Sequence, residues 1–230
     1  MTELSIIIPA YNEESVIVEA LKEISNTLTG RDYQILVVDD GSTDKTAKLV
    51  KGIDMKRVKL IQLEKNKGKG AAIRKGVMQA KGELILFTDA DQSTSIDHLF
   101  LFLEEIETCD IVIGSRTLPK SKISKKQPLY KHILGKLGNL VIRLTLKLPY
   151  TDTQCGFKLF KRKAAKEIFN KLSFEGWSFD FEVLKIADKK GYKVKEIPVT
   201  WENNPDTAVK LSDYLETLKS LFLIKKRHDS

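Results

Sequence analysis

The 230-residue chain is 42% hydrophobic and 30% charged, which supplies one α/β domain with a real core and excludes a disordered chain. Its two cysteines, Cys109 and Cys155, cannot make a disulfide framework and read as reduced thiols of a cytosolic protein. The formal charge of +8 points to a polyanionic partner, no apolar run nears the ~20 residues of a membrane span, and residues 1–9 lack the basic start and long apolar core of a signal peptide.

The first half alternates short β-branched runs with amphipathic stretches. Strands are predicted at 4–9, 35–39, 58–63, 84–88 and 111–114, and helices at 13–28, 44–50, 70–80 and 96–107. The strands are near-continuous apolar runs, as expected of a mostly parallel sheet covered by helices on both faces. Such sheets bind ligands at the carboxyl ends of their strands. At those ends the sequence turns polar four times: Pro9-Ala10-Tyr11-Asn12-Glu13, Asp39 to Asp44, Asp89-Ala90-Asp91, and Gly114-Ser115-Arg116. Beyond Arg116 the pattern changes. Residues 118–126 are polar and lysine-rich and predict a loop. Residues 129–148 are apolar at helical spacing, carry Lys131, Lys136, Arg143 and Lys147, and contain no acidic residue. A loop with a short strand is predicted over 149–163, helices over 163–172 and 179–189, and a strand over 194–201. A tail helix over 212–227 ends in Lys225-Lys226-Arg227. The expected organisation is one domain over 1–211, with an acceptor loop and interfacial helix at 118–150, and an amphipathic helix over 212–230.

Asp89-Ala90-Asp91 follows the apolar run Leu84-Ile85-Leu86-Phe87. Two carboxylates side by side at a strand end repel each other and need a cation. Hard oxygen ligands favour Mg²⁺ or Mn²⁺, which keep waters and take substrate phosphates. In the second cluster Ser42 or Asp44 is expected to cap the next helix, while Asp39 at the strand tip suits a ribose hydroxyl or a base N–H. Lys65-Asn66-Lys67-Gly68-Lys69-Gly70 opens a helix with lysines and backbone amides that suit phosphate, Lys67 among them. It lacks the third glycine of a dinucleotide fingerprint and the Gly-Lys-Ser/Thr of a P-loop.

The segments Ser5 to Glu14, Val38 to Asp44, Asn66 to Gly70 and Thr88 to Asp91, in this order, resemble the family 2 glycosyltransferases of the GT-A fold. The later segments sharpen the resemblance: Gly114-Ser115-Arg116, Asp152-Thr153-Gln154-Cys155-Gly156-Phe157-Lys158, Trp177-Ser178-Phe179-Asp180, and Glu196-Ile197-Pro198-Val199-Thr200-Trp201 are similar to the polyprenyl-phosphate branch. Within it, the Asp152 to Lys158 run is most similar to dolichyl-phosphate β-glucosyltransferases, with the mannosyl synthases close. The resemblance implies a GT-A, Rossmann-like sheet, a nucleotide-sugar donor, a polyprenyl-phosphate acceptor and Mg²⁺ or Mn²⁺. It implies that Pro9, Tyr11, Glu13 and Asp39 hold the nucleoside, that Asp89 and Asp91 hold the metal and diphosphate, and that Arg116 and Lys210 meet phosphates. Ala90, Asp152, Gln154 and Trp177 lie in the matched segments and are expected to line the substrate site. The catalytic residues it implies are Asp91, Arg116 and Asp180, the last where relatives that glycosylate hydroxyls place a base. Relatives often carry a metal-proximal Gln two positions after the second aspartate. Here Ser93 stands there, preceded by Gln92. The Gln-x-x-Arg-Trp motif of processive synthases is absent.

The expectation is inverting transfer of a hexose, glucose from UDP-glucose, to a polyprenyl phosphate at the cytoplasmic face of a membrane. Mannose from GDP-mannose and transfer to a sugar hydroxyl are the enzyme alternatives. The acid-free basic helix over 129–148 fits an interface with anionic lipid, and the basic tail adds to it. A partner subunit supplying a membrane anchor stays open. A non-catalytic module that docks basic helices on membrane is the alternative from another class. Nucleic acid is not expected, because the basic segments carry few interleaved aromatics and no recognition motif.

Overall fold

The computed structural model describes residues 2–124, 129–202 and 211–228, without the side chains of 129–133 and 211–216. The apolar runs of the first half become β1 (Leu4–Ala10), β2 (Tyr33–Asp39), β3 (Val58–Gln62), β4 (Leu84–Phe87) and β5 (Ile111–Ser115). Between them run α1 (Ile17–Thr27), α2 (Thr46–Gly52), α3 (Lys69–Gln79) and α4 (Leu99–Glu105). The second half supplies β6 (Lys122–Ile123), α5 (Leu129–Leu146), β7 (Lys158–Lys161), α6 (Arg162–Lys171), α7 (Phe179–Lys189), β8 (Val194–Pro198), β9 (Thr200–Trp201) and α8 (Leu211–His228). Seven strands form one sheet in the order β3-β2-β1-β4-β7-β5-β8. All neighbours are parallel except β7, which runs antiparallel between β4 and β5.

Both faces of the sheet are covered, and successive residues alternate between them, as a period of two requires. Ile7, Leu36, Val38, Ile85, Phe87, Ile111, Ile113 and Phe160 enter one core with residues of α3, α6 and α7. Ile6, Ile8, Ile35, Val37, Leu86, Val112 and Leu159 enter the other with residues of α1 and α4. Phe87 sits among Phe160, Phe169 and Phe179 at ring separations of 5.9, 6.4 and 5.8 Å, which stiffens the strand two residues before Asp89.

The structure departs from the sequence reading in four places. The helix predicted from residue 13 begins at Ile17, because the Glu13 carbonyl accepts from the N–H groups of Val16 and Ile17 in a preceding turn. Ser42 does not cap α2; its hydroxyl accepts from Asn12 N–H at 2.9 Å, while Asp44 accepts from Thr46 N–H at 2.9 Å. The strand predicted over 194–201 divides into β8 and β9. Residues 122–123 of the predicted loop pair in parallel with β9 in a second, two-stranded sheet. Residues 125–126 of that loop lie outside the described residues.

Candidate active site

Because β1, β2, β4 and β5 are parallel, their polar carboxyl ends meet along one edge of the sheet. The first two loops interlock. Asn12 takes a left-handed backbone at φ 57°, and its Oδ1 accepts from the N–H groups of Thr43 at 2.8 Å and Asp44 at 3.3 Å. Pro9 and Glu13 are half-buried beside this junction, and Tyr11 is exposed. Asp39 is 1% exposed; one oxygen accepts from Ser42 N–H at 3.1 Å and the other from Gln62 Nε2 at 3.3 Å.

Asp40, not singled out from the sequence, organises the next loop. Its two oxygens accept from the N–H groups of Lys67 at 2.8 Å and Gly68 at 2.7 Å. Burial raises its carboxyl above the ordinary value against these two bonds. Lys67 is thereby held through its backbone, with its side chain exposed. Gly68 has φ 101°, and a Cβ there would stand 2.5 Å from the Glu175 carbonyl, so only glycine fits. This turn delivers Lys69 into the site as the first residue of α3.

Asp89 and Asp91 lie just past β4. Asp89 Oδ1 is 2.5 Å from Lys69 Nζ, and Asp91 Oδ1 accepts from Ser93 N–H at 3.0 Å. Ala90 between them is buried. Glu13 from β1's loop faces the same space. Burial, then the charges of Asp91 and Asp89, push its carboxyl up to about 7. That is the signature of negative charge gathered beyond what Lys69 neutralises. Gln92 has a left-handed backbone at φ 50°, and its Nε2 donates to the Asp89 carbonyl at 2.9 Å. Its Oε1 is buried with no hydrogen-bond partner among the described residues. Among those residues no three His, Cys, Asp or Glu side chains converge to cage a metal alone. The excess charge and the orphaned acceptor therefore fit a cation that takes two carboxylates and completes its shell with water and substrate phosphates.

Arg116 leaves the end of β5 and is fixed by Asp152. Its Nε and Nη2 donate to the two carboxylate oxygens at 2.7 and 2.9 Å, and its backbone N–H adds a third bond at 2.9 Å. Burial alone would raise the Asp152 carboxyl; Arg116 outweighs it and brings the group down to about 2. Glu196 on β8 supports this pair by accepting from the N–H groups of Thr151 and Asp152 at 2.8 and 3.0 Å. Asp152 also accepts from Gln154 N–H at 3.1 Å. The guanidinium lies 5.5 Å from the Trp201 ring centre.

Asp180, expected as a base, is 3% exposed and bound by Lys158 Nζ, itself fully buried. Burial raises the Asp180 carboxyl against the opposing pull of Lys158 and Lys69. Lys158 also donates to the Cys155 carbonyl at 2.6 Å, and so ties down the turn before β7. In that turn Gly156 abuts Asp89: a Cβ there would stand 2.0 Å from Asp89 Oδ2. Trp177 is 53% exposed beside Lys69, whose Nζ lies 5.2 Å from its ring centre. Lys210 lies outside the described residues.

Helices α5 and α8 carry exposed apolar residues. Leu134, Leu137, Leu140 and Leu144 of α5 are exposed, Leu144 by 70%, and so are Leu218, Phe222 and Leu223 of α8. The two helices pack on each other. No described helix is long and apolar enough to cross a membrane.

Residues 5–169 match the model of glycosyl transferase family 2. The chain is 35% identical over 240 residues to a dolichyl-phosphate beta-glucosyltransferase of Trichomonas vaginalis, covering 98% of this chain and 73% of that one. It is also 35% identical over 246 residues to the dolichyl-phosphate beta-glucosyltransferase of Homo sapiens, covering 98% and 76%. Among solved structures, glucosyl-3-phosphoglycerate synthase of Mycobacterium tuberculosis, in complex with Mn²⁺, UDP and glucosyl-3-phosphoglycerate, superposes with a TM-score of 0.69 at 17% identity over 98% of this chain and 80% of that one. The strand order, the carboxylates at the sheet edge and these matches agree: the chain is a glycosyltransferase with the GT-A fold and belongs to glycosyl transferase family 2.

Proposed function

We propose that the chain transfers glucose from UDP-glucose to a polyprenyl phosphate of the dolichyl type, with inversion at the anomeric carbon. The observation that carries the reading is that Asp89 and Asp91 stand at the sheet edge facing Glu13, whose carboxyl is raised to about 7 by burial and then by their negative charge. A site of that kind suits a diphosphate held through a divalent cation, Mg²⁺ or Mn²⁺, which when bound neutralises charge on the leaving diphosphate. Asp89 and Asp91 would hold that cation. Pro9, Tyr11 and Asp39 stand where β1 and β2 end, positioned for the nucleoside. The choice of glucose and a lipid phosphate rests on the two named relatives, each covered over about three quarters of its length.

The acceptor decides what the protein must do about protons. A phosphate monoester has a second pKa of about 6, so at neutral pH it is already mostly a dianion and attacks without a general base. The buried Lys158–Asp180 pair agrees with that chemistry. In this reading Asp180 positions the Cys155–Gly156 turn and the Asp89 carboxylate beside it, rather than taking a proton. A phosphate oxygen forms the new bond to the anomeric carbon as the bond to the diphosphate breaks. Arg116, oriented by Asp152, supplies fixed positive charge to the phosphates during that exchange.

A lipid acceptor brings the protein to a membrane. The exposed leucines of α5 and the apolar residues of α8, with Lys136, Arg143, Lys219 and Lys226 on the same two helices, suit peripheral contact with anionic lipid at the cytoplasmic face. Incubation with UDP-glucose, UDP-GlcNAc or GDP-mannose and a short polyprenyl phosphate, followed by mass spectrometry, tests the reading. Glucosyl phosphopolyprenol from UDP-glucose is the expected product. Free glucose alone, or transfer only from GDP-mannose, refutes the assignment.

A further inference from the structure

Lys69 is oddly placed for a structural lysine. It is the first residue of α3, the end of a helix where the macrodipole disfavours a cation. Its stem is mostly covered, with 16% of the side chain exposed, and its ammonium ends 2.5 Å from Asp89 Oδ1. Asp180 is the next negative charge that acts on it. The four groups therefore alternate in sign across the site: Asp89, Lys69, Asp180, Lys158. The inner pair is closed, because Lys158 is fully buried and divides its bonds between Asp180 and the Cys155 carbonyl. The outer pair is open, since the Asp89 side chain is 33% exposed and is one of the two carboxylates suited to a divalent cation.

Resting on the nucleotide-sugar reading above, we infer that Lys69 is a resident counter-ion of the donor site. In the free enzyme its ammonium neutralises Asp89. It competes there with an entering divalent cation, and once the cation holds Asp89 its Nζ turns to the donor's diphosphate, with Asp180 as the fixed negative charge behind it. The flexible four-carbon stem permits that short swing, and the compact ammonium suits a diphosphate oxygen. The Trp177 ring, 5.2 Å from Nζ, lines the path.

A lysine that merely braces Asp89 predicts the opposite sign from one that competes for it, so metal affinity separates the two. Mn²⁺ alone is titrated calorimetrically into the full chain and its Lys69→Met and Lys69→Arg variants. UDP is then titrated at saturating Mn²⁺. The inference predicts that Lys69→Met binds Mn²⁺ at least about tenfold more tightly than the parent, because a unit charge a few ångströms from the ion is gone. Lys69→Arg, which keeps the charge, stays near the parent. UDP binding at saturating Mn²⁺ falls by at least about tenfold in Lys69→Met. Unchanged or weaker Mn²⁺ binding by a folded Lys69→Met protein overturns the inference, and Lys69→Gln supplies the same comparison where methionine prevents folding. Glucose transfer by the parent is measured alongside. Intact transfer without the Mn²⁺ shift overturns the inference alone, whereas the Mn²⁺ shift without transfer overturns the glucosyl reading alone.

Discussion

Gly156 offers the sharpest perturbation of the site, because its replacement separates function from folding. An alanine Cβ at this position would stand 2.0 Å from Asp89 Oδ2, 2.6 Å from Cγ and 2.9 Å from Oδ1. An ordinary carbon–oxygen contact needs about 3.4 Å, so the carboxylate must retreat by about 1.4 Å. The backbone does not resist the change, since Gly156 is not among the residues with positive φ. What yields is the end of one side chain, so stability should change by less than about 1 kcal/mol. The cost falls on the chemistry, where a displacement of about 1 Å in a positioned group lowers kcat/KM by about 10². Urea unfolding, glucose-transfer kinetics and Mn²⁺ titration of Gly156→Ala give the three readings. Near-parental unfolding, about a hundredfold loss of kcat/KM and weaker Mn²⁺ binding are expected. A folded Gly156→Ala enzyme with parental kcat/KM refutes the placement of Asp89 in the working site.

Three further outcomes follow from the same geometry. Asp152 has its carboxyl lowered from 3.8 to about 2, so its contribution is fully present above about pH 4 and is lost as pH falls toward 2. At 1.36 kcal/mol per pH unit that is about 2 kcal/mol, and the drop in unfolding free energy between pH 5 and pH 2 should be smaller by about that amount in Asp152→Asn. Glu13 shifts the other way. Its raised carboxyl favours the folded state at low pH and costs stability as pH rises from 4.5 through about 7, so Glu13→Gln should raise the metal-free melting temperature at pH 8 and leave it unchanged at pH 4. Leu137→Glu with Leu144→Glu places charge among the exposed leucines of α5. Sedimentation with anionic vesicles should fall by about tenfold or more while transfer to a short, water-soluble polyprenyl phosphate is retained.

The parallel core was readable because each strand carries its own local signal. Ile6 to Ile8 and Ile35 to Val38 are buried on both faces, so they are apolar throughout, and the chain turns polar just beyond them. The direction of β7 had no such signal. Lys158 interrupts its apolar run, and its explanation, Asp180, lies 22 residues away on α7. The same distance hides the meaning of Asp180, which in sequence resembles a base and in the fold closes a buried ion pair. A lysine flanked by Phe157 and Leu159 in a buried strand was the available clue, since a buried charge requires a partner. Asp40 and Glu196 were missed for a related reason. Their work is to hold backbone N–H groups of distant loops, and only the folded chain brings those loops within reach. Asp89 and Asp91 were legible because strand end and carboxylates are contiguous. Lys69, five residues into a basic loop, was hidden among lysines of similar appearance until α3 placed it on Asp89.

In the proposed function the sheet-edge carboxylates hold the donor's diphosphate through a divalent cation. Anomalous diffraction from crystals soaked with UDP-glucose and Mn²⁺ tests it most directly. One strong manganese peak is expected within about 2.2 Å of Asp91 and Asp89 oxygens, touching the diphosphate, with the uracil and ribose lying over Pro9, Tyr11 and Asp39. A nucleotide bound elsewhere on the sheet, or a diphosphate seated on the lysines with no manganese at either aspartate, contradicts it.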